Sequence, residues 1–115
     1  MAVGPKDFDA ACDKAYDVAV VLTVAQIDTD LSHRMQEMEA GKFDNQIPYG
    51  DEVRVNFTFP WTREDGNLDT EFARRLKKRY EDVGWARVDV VQVESKSVKA
   101  CIYLHRKHPY AVTKS

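Results

Sequence analysis

The sequence predicts an α+β fold: one long N-terminal helix, or two shorter ones, followed by a β-α-β-β unit whose small three-stranded sheet the helices cover. Three observations carry this. Residues 6–40 contain neither Gly nor Pro and space their apolar side chains helically. The stretch "DEVRVNFTFPW" alternates apolar and polar residues. The stretch "FARRLKKRY" returns to helical spacing before two further alternating runs.

In the first segment, Phe8, Cys12, Tyr16, Val20, Val24, Ile27, Leu31, Met35 and Met38 recur at intervals of three or four. Pro5 suits a first helical turn and Gly41 a helix end, giving a helical segment over residues 5–41. Unbroken, it is about 50 Å long, against roughly 30 Å for a domain of this size. The helix therefore either breaks or overhangs. Asp28–Asp30 is the natural break, because Asp prefers caps to helix interiors, and the β-branched run Val18–Ile27 also admits a strand. If the helix is unbroken, its overhanging apolar stripe needs cover from a second copy of the chain. Val20, Val24, Ile27, Leu31 and Met35 are the residues expected to supply that self-association, most simply as a dimer.

Val53, Val55, Phe57 and Phe59 share one face of the next element, a half-buried strand that Pro60 ends. "TREDGN" is a turn, Asp69 a helix cap and Leu68 a staple onto the first turn. The helix that follows buries Phe72, Leu76, Tyr80 and Val83, and Gly84 closes it. In "WARVDVVQVE" the alternation slips at Val90–Val91, which reads as a bulge or as burial on both faces. "SVKACIYLH" alternates again, and the short link "ESKS" makes the last two strands an antiparallel hairpin. Residues 106–115 form a polar tail expected to be mobile.

A chain of 115 residues is expected to be one domain, 1–115, with a core that needs no disulfide or metal staple. Its net charge of −2 is unevenly spread: residues 1–50 carry four basic and nine acidic side chains, residues 51–115 thirteen basic and ten acidic. Such polarity favours partners of opposite sign at the two ends. The N-terminal stretch lacks a cationic run followed by an apolar core, and the longest apolar run, "VAVVLTVAQI", is too short to span a bilayer. A soluble, cytoplasmic protein without membrane partners is expected, with Cys12 and Cys101 as buried thiols. In that setting the "NFT" acceptor at Asn56 has no glycosylation role.

The search for chemistry excludes more than it finds. No phosphate loop, dinucleotide fingerprint, nucleophile elbow, zinc-protease or calcium-loop pattern is present. His105 and His108 stand beside Arg106 and Lys107, whose charges oppose a cation, so no metal is expected. Asp28 and Asp30 point to different sides of a helix and form no acid–base dyad. Cys101 and His105, four residues apart on one strand face, are too distant to act as nucleophile and base. No catalytic residue and no cofactor is assigned, and a non-enzymatic role is expected.

Two features remain. Arg74, Arg75, Lys77, Lys78 and Arg79 give the second helix a basic face that suits nucleic-acid phosphates, or simply solvates the side turned away from the core. Glu71, Glu81 and Asp82 flank that face, and no exposed aromatic series interleaves the cations. Among the aromatic residues, Trp61 lies just past a strand end, where a large ring needs cover, and Tyr103 faces away from Ile102. With Trp85 they are the candidate anchors for a protein partner.

The order "RMQEMEAGKF", a strand, then "FARRLKKRYEDVGWARVDV" and a hairpin resembles small uncharacterised accessory proteins of tailed bacteriophages. The matching residues are Leu76, Lys78, Tyr80, Gly84 and Trp85, over about half of the chain, with Lys6–Ile27 outside the pattern. The resemblance implies an accessory factor that acts by binding, with counter-defence as one sub-case, and assigns no functional residue. The leading expectation is thus a non-enzymatic accessory protein that self-associates and binds a macromolecule or ligand; the alternative is a nucleic-acid-binding module built on the second helix.

Overall fold

A computed structural model describes residues 2–42 and 52–106 of the chain. Five elements follow in order: α1 (Pro5–Glu39), β1 (Glu52–Thr58), α2 (Thr70–Asp82), β2 (Arg87–Gln92) and β3 (Lys99–His105). This is the expected α+β arrangement, a long N-terminal helix and then β-α-β-β. His108 and Lys107 lie outside the described residues, as does the tail beyond Arg106.

α1 is one unbroken helix of 35 residues. Of the two alternatives, the unbroken helix holds and the break at Asp28–Asp30 does not occur, because each polar residue there finds a partner compatible with the helix. Asp28 accepts a hydrogen bond from the Tyr80 hydroxyl at 2.8 Å, Asp30 pairs with Arg34 at 2.7 Å, and the Thr29 hydroxyl donates to the Ala25 carbonyl. The strand reading of Val18–Ile27 fails too: Thr23 bonds back to the Ala19 carbonyl at 2.8 Å, and the β-branched side chains split between two sides of the helix. Gly41, at φ +85°, ends α1, with Lys42 N–H donating to the Glu37 carbonyl and Gly41 N–H to that of Met38.

The sheet order is β1-β3-β2 and every pairing is antiparallel. Val53 faces Leu104, Val55 faces Ile102 and Phe57 faces Ala100, while Val88 and Val90 flank Leu104 and Ile102 from the other side. These residues make the apolar face, on which α1 packs over β1 and α2 over β2. β2 keeps one register from Arg87 to Gln92, so the slip at Val90–Val91 is not a bulge. Val91 and Val93 project from the opposite face, where they are exposed.

α2 buries Phe72, Leu76 and Tyr80. Val83, expected on that stripe, is the C-cap and is 73% exposed, because Gly84 at φ +111° turns the chain before another helical turn can carry it inward. Asp69 caps the N-terminus with one carboxylate oxygen, accepting from Glu71 N–H at 2.9 Å and Phe72 N–H at 3.0 Å.

The turn before α2 and the β2–β3 hairpin lock together through Gln92. Its amide oxygen accepts from Leu68 N–H, and its amide nitrogen donates to the carbonyls of Gly66 and Ser97. Gly66, at φ +81°, lies so close that a Cβ there would stand 2.5 Å from Lys96 Cγ and 3.0 Å from Lys96 Cα. Gly66→Ala is therefore expected to lower stability by about 1–2 kcal/mol from the backbone conformation alone, and by more from the contact, as read by chemical denaturation. An unchanged midpoint would show that this turn does not bear on the fold.

Candidate interaction surfaces

The aromatic ring that needed cover has it. Trp61 is half-buried, 5.5 Å from the ring of Tyr16 on α1 and 6.3 Å from Phe72. Its indole N–H points to Asp69 Oδ2 at 3.4 Å, and the Tyr16 hydroxyl donates to the same oxygen at 2.7 Å. The ring is thus part of the α1–α2 junction, and its reason to seek a partner is removed. Trp85 is likewise packed against the core. Tyr103 differs: it lies half-buried on the uncovered face of the sheet, with the Arg54 guanidinium 5.2 Å above its ring.

The basic face of α2 is largely neutralised within the chain. Arg75 is held by Glu71 of its own helix and by Asp13 and Asp17 of α1, and it lies 5.1 Å over the Tyr16 ring. Arg74 pairs with Glu71 at 2.7 Å, Lys78 with Asp82 at 3.3 Å and Lys77 with Glu81 at 4.0 Å. Among the described residues only Arg79 of the five has no carboxylate within salt-bridge distance. The surplus of acid in α1 and of base in α2 meet each other here. That leaves little uncompensated charge for phosphates.

The self-association stripe is mostly internal. Val20 and Ile27 are fully buried under the sheet, Val24 and Leu31 pack half-buried against the same core, and only Met35 is exposed. The residues that α1 does expose are on its far side: Val18 (48% exposed), Val21 (51%) and Leu22 (62%), with Phe8 toward the N-terminus. Sequence reading followed the i+4 track through Tyr16 and Val20 and so missed this second stripe, although Ala11, Ala15, Val18, Leu22 and Ala25 repeat at intervals of four and three. Cys12, expected to be buried, is exposed because it lies on α1 beyond the edge of the core; Cys101 is buried, and burial raises its thiol pKa.

A groove of about 780 Å3 runs along the free edge of β2. Thr70, Ala73, Arg74 and Lys77 of α2 form one wall, Val88 and Val90 the floor, and Tyr103 and His105 the far lip. At that lip His105 Nε2 lies 3.5 Å from Glu52 and 3.8 Å from Asp89, and Arg87 pairs with Asp89 at 3.0 Å. Among the described residues no cluster of three or more His, Cys, Asp or Glu is arranged to hold a metal ion, and no helix is long and apolar enough to cross a membrane.

The carboxylates at the α1–α2 junction set an acid limit. Hydrogen bonds from Arg74 and Arg75 hold Glu71 down at about 2. Burial pushes the Asp69 carboxyl up, but donors from Phe72, Tyr16, Trp61 and Glu71 outweigh it and keep Asp69 below its ordinary value. Both folded-state values are depressed, so the stabilisation is present at neutral pH and is lost as pH falls below the unfolded values. The melting temperature is expected to hold down to about pH 4.5 and to fall between there and pH 2, with Glu71→Gln flattening part of that fall. A melting temperature that rises on acidification would contradict this account. For nucleic acid, fluorescence anisotropy with labelled DNA or RNA at physiological salt is expected to show nothing tighter than the ~10⁻⁶ M of non-specific association; tighter, steeply salt-dependent binding would favour the basic-helix reading.

No family model, no curated protein and no solved structure matches the chain.

Proposed function

We propose that this chain is a non-enzymatic accessory protein that self-associates and takes an extended segment of a partner protein along the free edge of β2. The groove beside that edge carries the reading. A strand with a neighbour on one side only presents unpaired N–H and C=O groups to the other, and an extended peptide can add to it as a fourth strand. The turn at Gly66–Leu68 meets only the end of this edge, at Gln92, and among the described residues no backbone group from outside the sheet bonds to Val88–Val91. The short side chains of Thr70 and Ala73 on the helix wall leave room for a backbone. Val90, half-buried, and Val91, exposed, offer apolar contacts to side chains on the two faces of the incoming segment.

Charge narrows the partner. Lys77 is only loosely paired at 4.0 Å and stands on the α2 wall of the groove, while on the opposite lip Arg87 and His105 share their charge with Asp89 and Glu52, so the α2 wall is the cationic side. A segment alternating apolar with acidic residues meets both demands. Tyr103, with Arg54 over its ring, stands at the far lip as the aromatic anchor. The resemblance to phage accessory proteins agrees with action by binding, and supplies no partner.

The test is a titration of isotope-labelled protein with extended peptides of alternating apolar and acidic residues, followed by NMR. Amide shifts centred on Val88–Val91 are expected, and Ala73→Trp, which fills the groove from a half-exposed position, is expected to abolish them without lowering the melting temperature. Shifts confined to other elements, or none with any peptide, would contradict the edge as the binding surface.

A further inference from the structure

We propose that the far side of α1 is the self-association surface, and that it pairs two copies of the chain as an antiparallel helical hairpin centred between Val18 and Leu22. The inference deepens the self-association half of the proposed function and rests on it.

Ala11, Ala15, Val18, Leu22, Ala25 and Thr29 follow one another at intervals of 4, 3, 4, 3 and 4. That is the a/d repeat of a coiled-coil seam. All six are exposed, and they lie opposite the stripe that packs on the sheet, so the domain stands clear of them. A solvated helix back is normally polar. This one presents Val18, Val21 and Leu22 at 48–62% exposure, with alanines above and below that allow close approach of a second helix.

What covers the seam follows from its charges. The flanking positions on one side are Asp7, Lys14, Val21, Asp28 and Met35, each seven residues apart. In an antiparallel pair such positions face their counterparts across the twofold axis. Placing Val18 against the partner's Leu22 sets Val21 beside the partner's Val21 and Lys14 beside the partner's Asp28, and does so twice by symmetry. Lys14 is exposed, and the Tyr80 hydroxyl occupies only Oδ1 of Asp28, leaving Oδ2 to accept. Sliding one helix by a heptad toward the N-terminus sets Asp7 against the partner's Asp28, a repulsive pair. Sliding the other way sets Lys14 against the partner's Met35. One register alone therefore combines the bulky centre with opposite charges. Antiparallel pairing also aligns the helix dipoles favourably. The paired length, Phe8 to Ser32, is roughly 37 Å at 1.5 Å per residue and one helix wide, a strip at the lower end of specific interfaces. The dimer is thus one that dissociates on dilution.

The experiment combines sedimentation with crosslinking of the full chain. In a Cys12→Ser background, Val21→Cys is expected to give a linked dimer with a short bis-thiol reagent, and Ala11→Cys none, since Ala11 faces the partner's Thr29. Leu22→Glu is expected to weaken the dimer at least ~tenfold by burying a charge, and Lys14→Glu roughly fivefold. Unchanged far-UV circular dichroism in each variant shows that the fold persists. Crosslinking through Ala11→Cys would mean parallel pairing and overturn the register. A dimer that Leu22→Glu leaves intact would overturn the surface while keeping self-association. A wild-type chain that stays monomeric at high concentration would overturn self-association itself.

Discussion

Everything in this fold depends on one helix that is longer than the core it covers. α1 runs 35 residues, about 52 Å at 1.5 Å per residue, over a molecule measuring 65 × 27 × 27 Å. The sheet needs it only from Tyr16 to Leu31, where Val20, Thr23 and Ile27 are sealed against β1 and α2. A sheet of three strands with one apolar face has no other described element able to close that side. The overhang and the unused side of α1 are consequences of making one helix do this without a break.

The contact between α1 and α2 fixes the angle of that cover. Asp69 ties the start of α2 to α1 by holding two backbone N–H groups with one oxygen and the Tyr16 hydroxyl and Trp61 indole with the other. Arg75 ties the next turn by reaching Asp13 and Asp17. The Tyr80 hydroxyl reaches Asp28 farther along. Exposed ion pairs contribute little singly, but here they share partners with a half-buried carboxylate and an aromatic pair, which gives them fixed geometry. With α2 held this way, Ala73 and Thr70 face the β2 edge and the groove stays open.

The local elements were legible because each wrote its own period into the chain. The alternation Val53, Val55, Phe57 and the spacing Phe72, Leu76, Tyr80 give β1 and α2 directly, and the short link after Glu94 gives the hairpin. What was not legible depended on residues far apart. Trp61 looked uncovered because its cover, Tyr16, is 45 positions away, and the cations of α2 looked free because Asp13 and Asp17 lie on another element. The two-sided character of α1 was hidden for a different reason. Its second stripe is built largely of alanines, which count as neutral in any search for one apolar face, although their 4–3 spacing is plain once that face is known to be exposed.

The most direct measurement uses the exposed native thiol. Spin labels on Cys12 report the distance between two copies by pulsed electron paramagnetic resonance, while Cys101 is buried. Antiparallel pairing centred between Val18 and Leu22 separates the two Cys12 positions by sixteen residues along the axis, about 24 Å at 1.5 Å per residue, so a distribution near ~25–30 Å is predicted. A distance set only by the width of a helix pair, about 10 Å, or no dipolar modulation at all, would contradict the account.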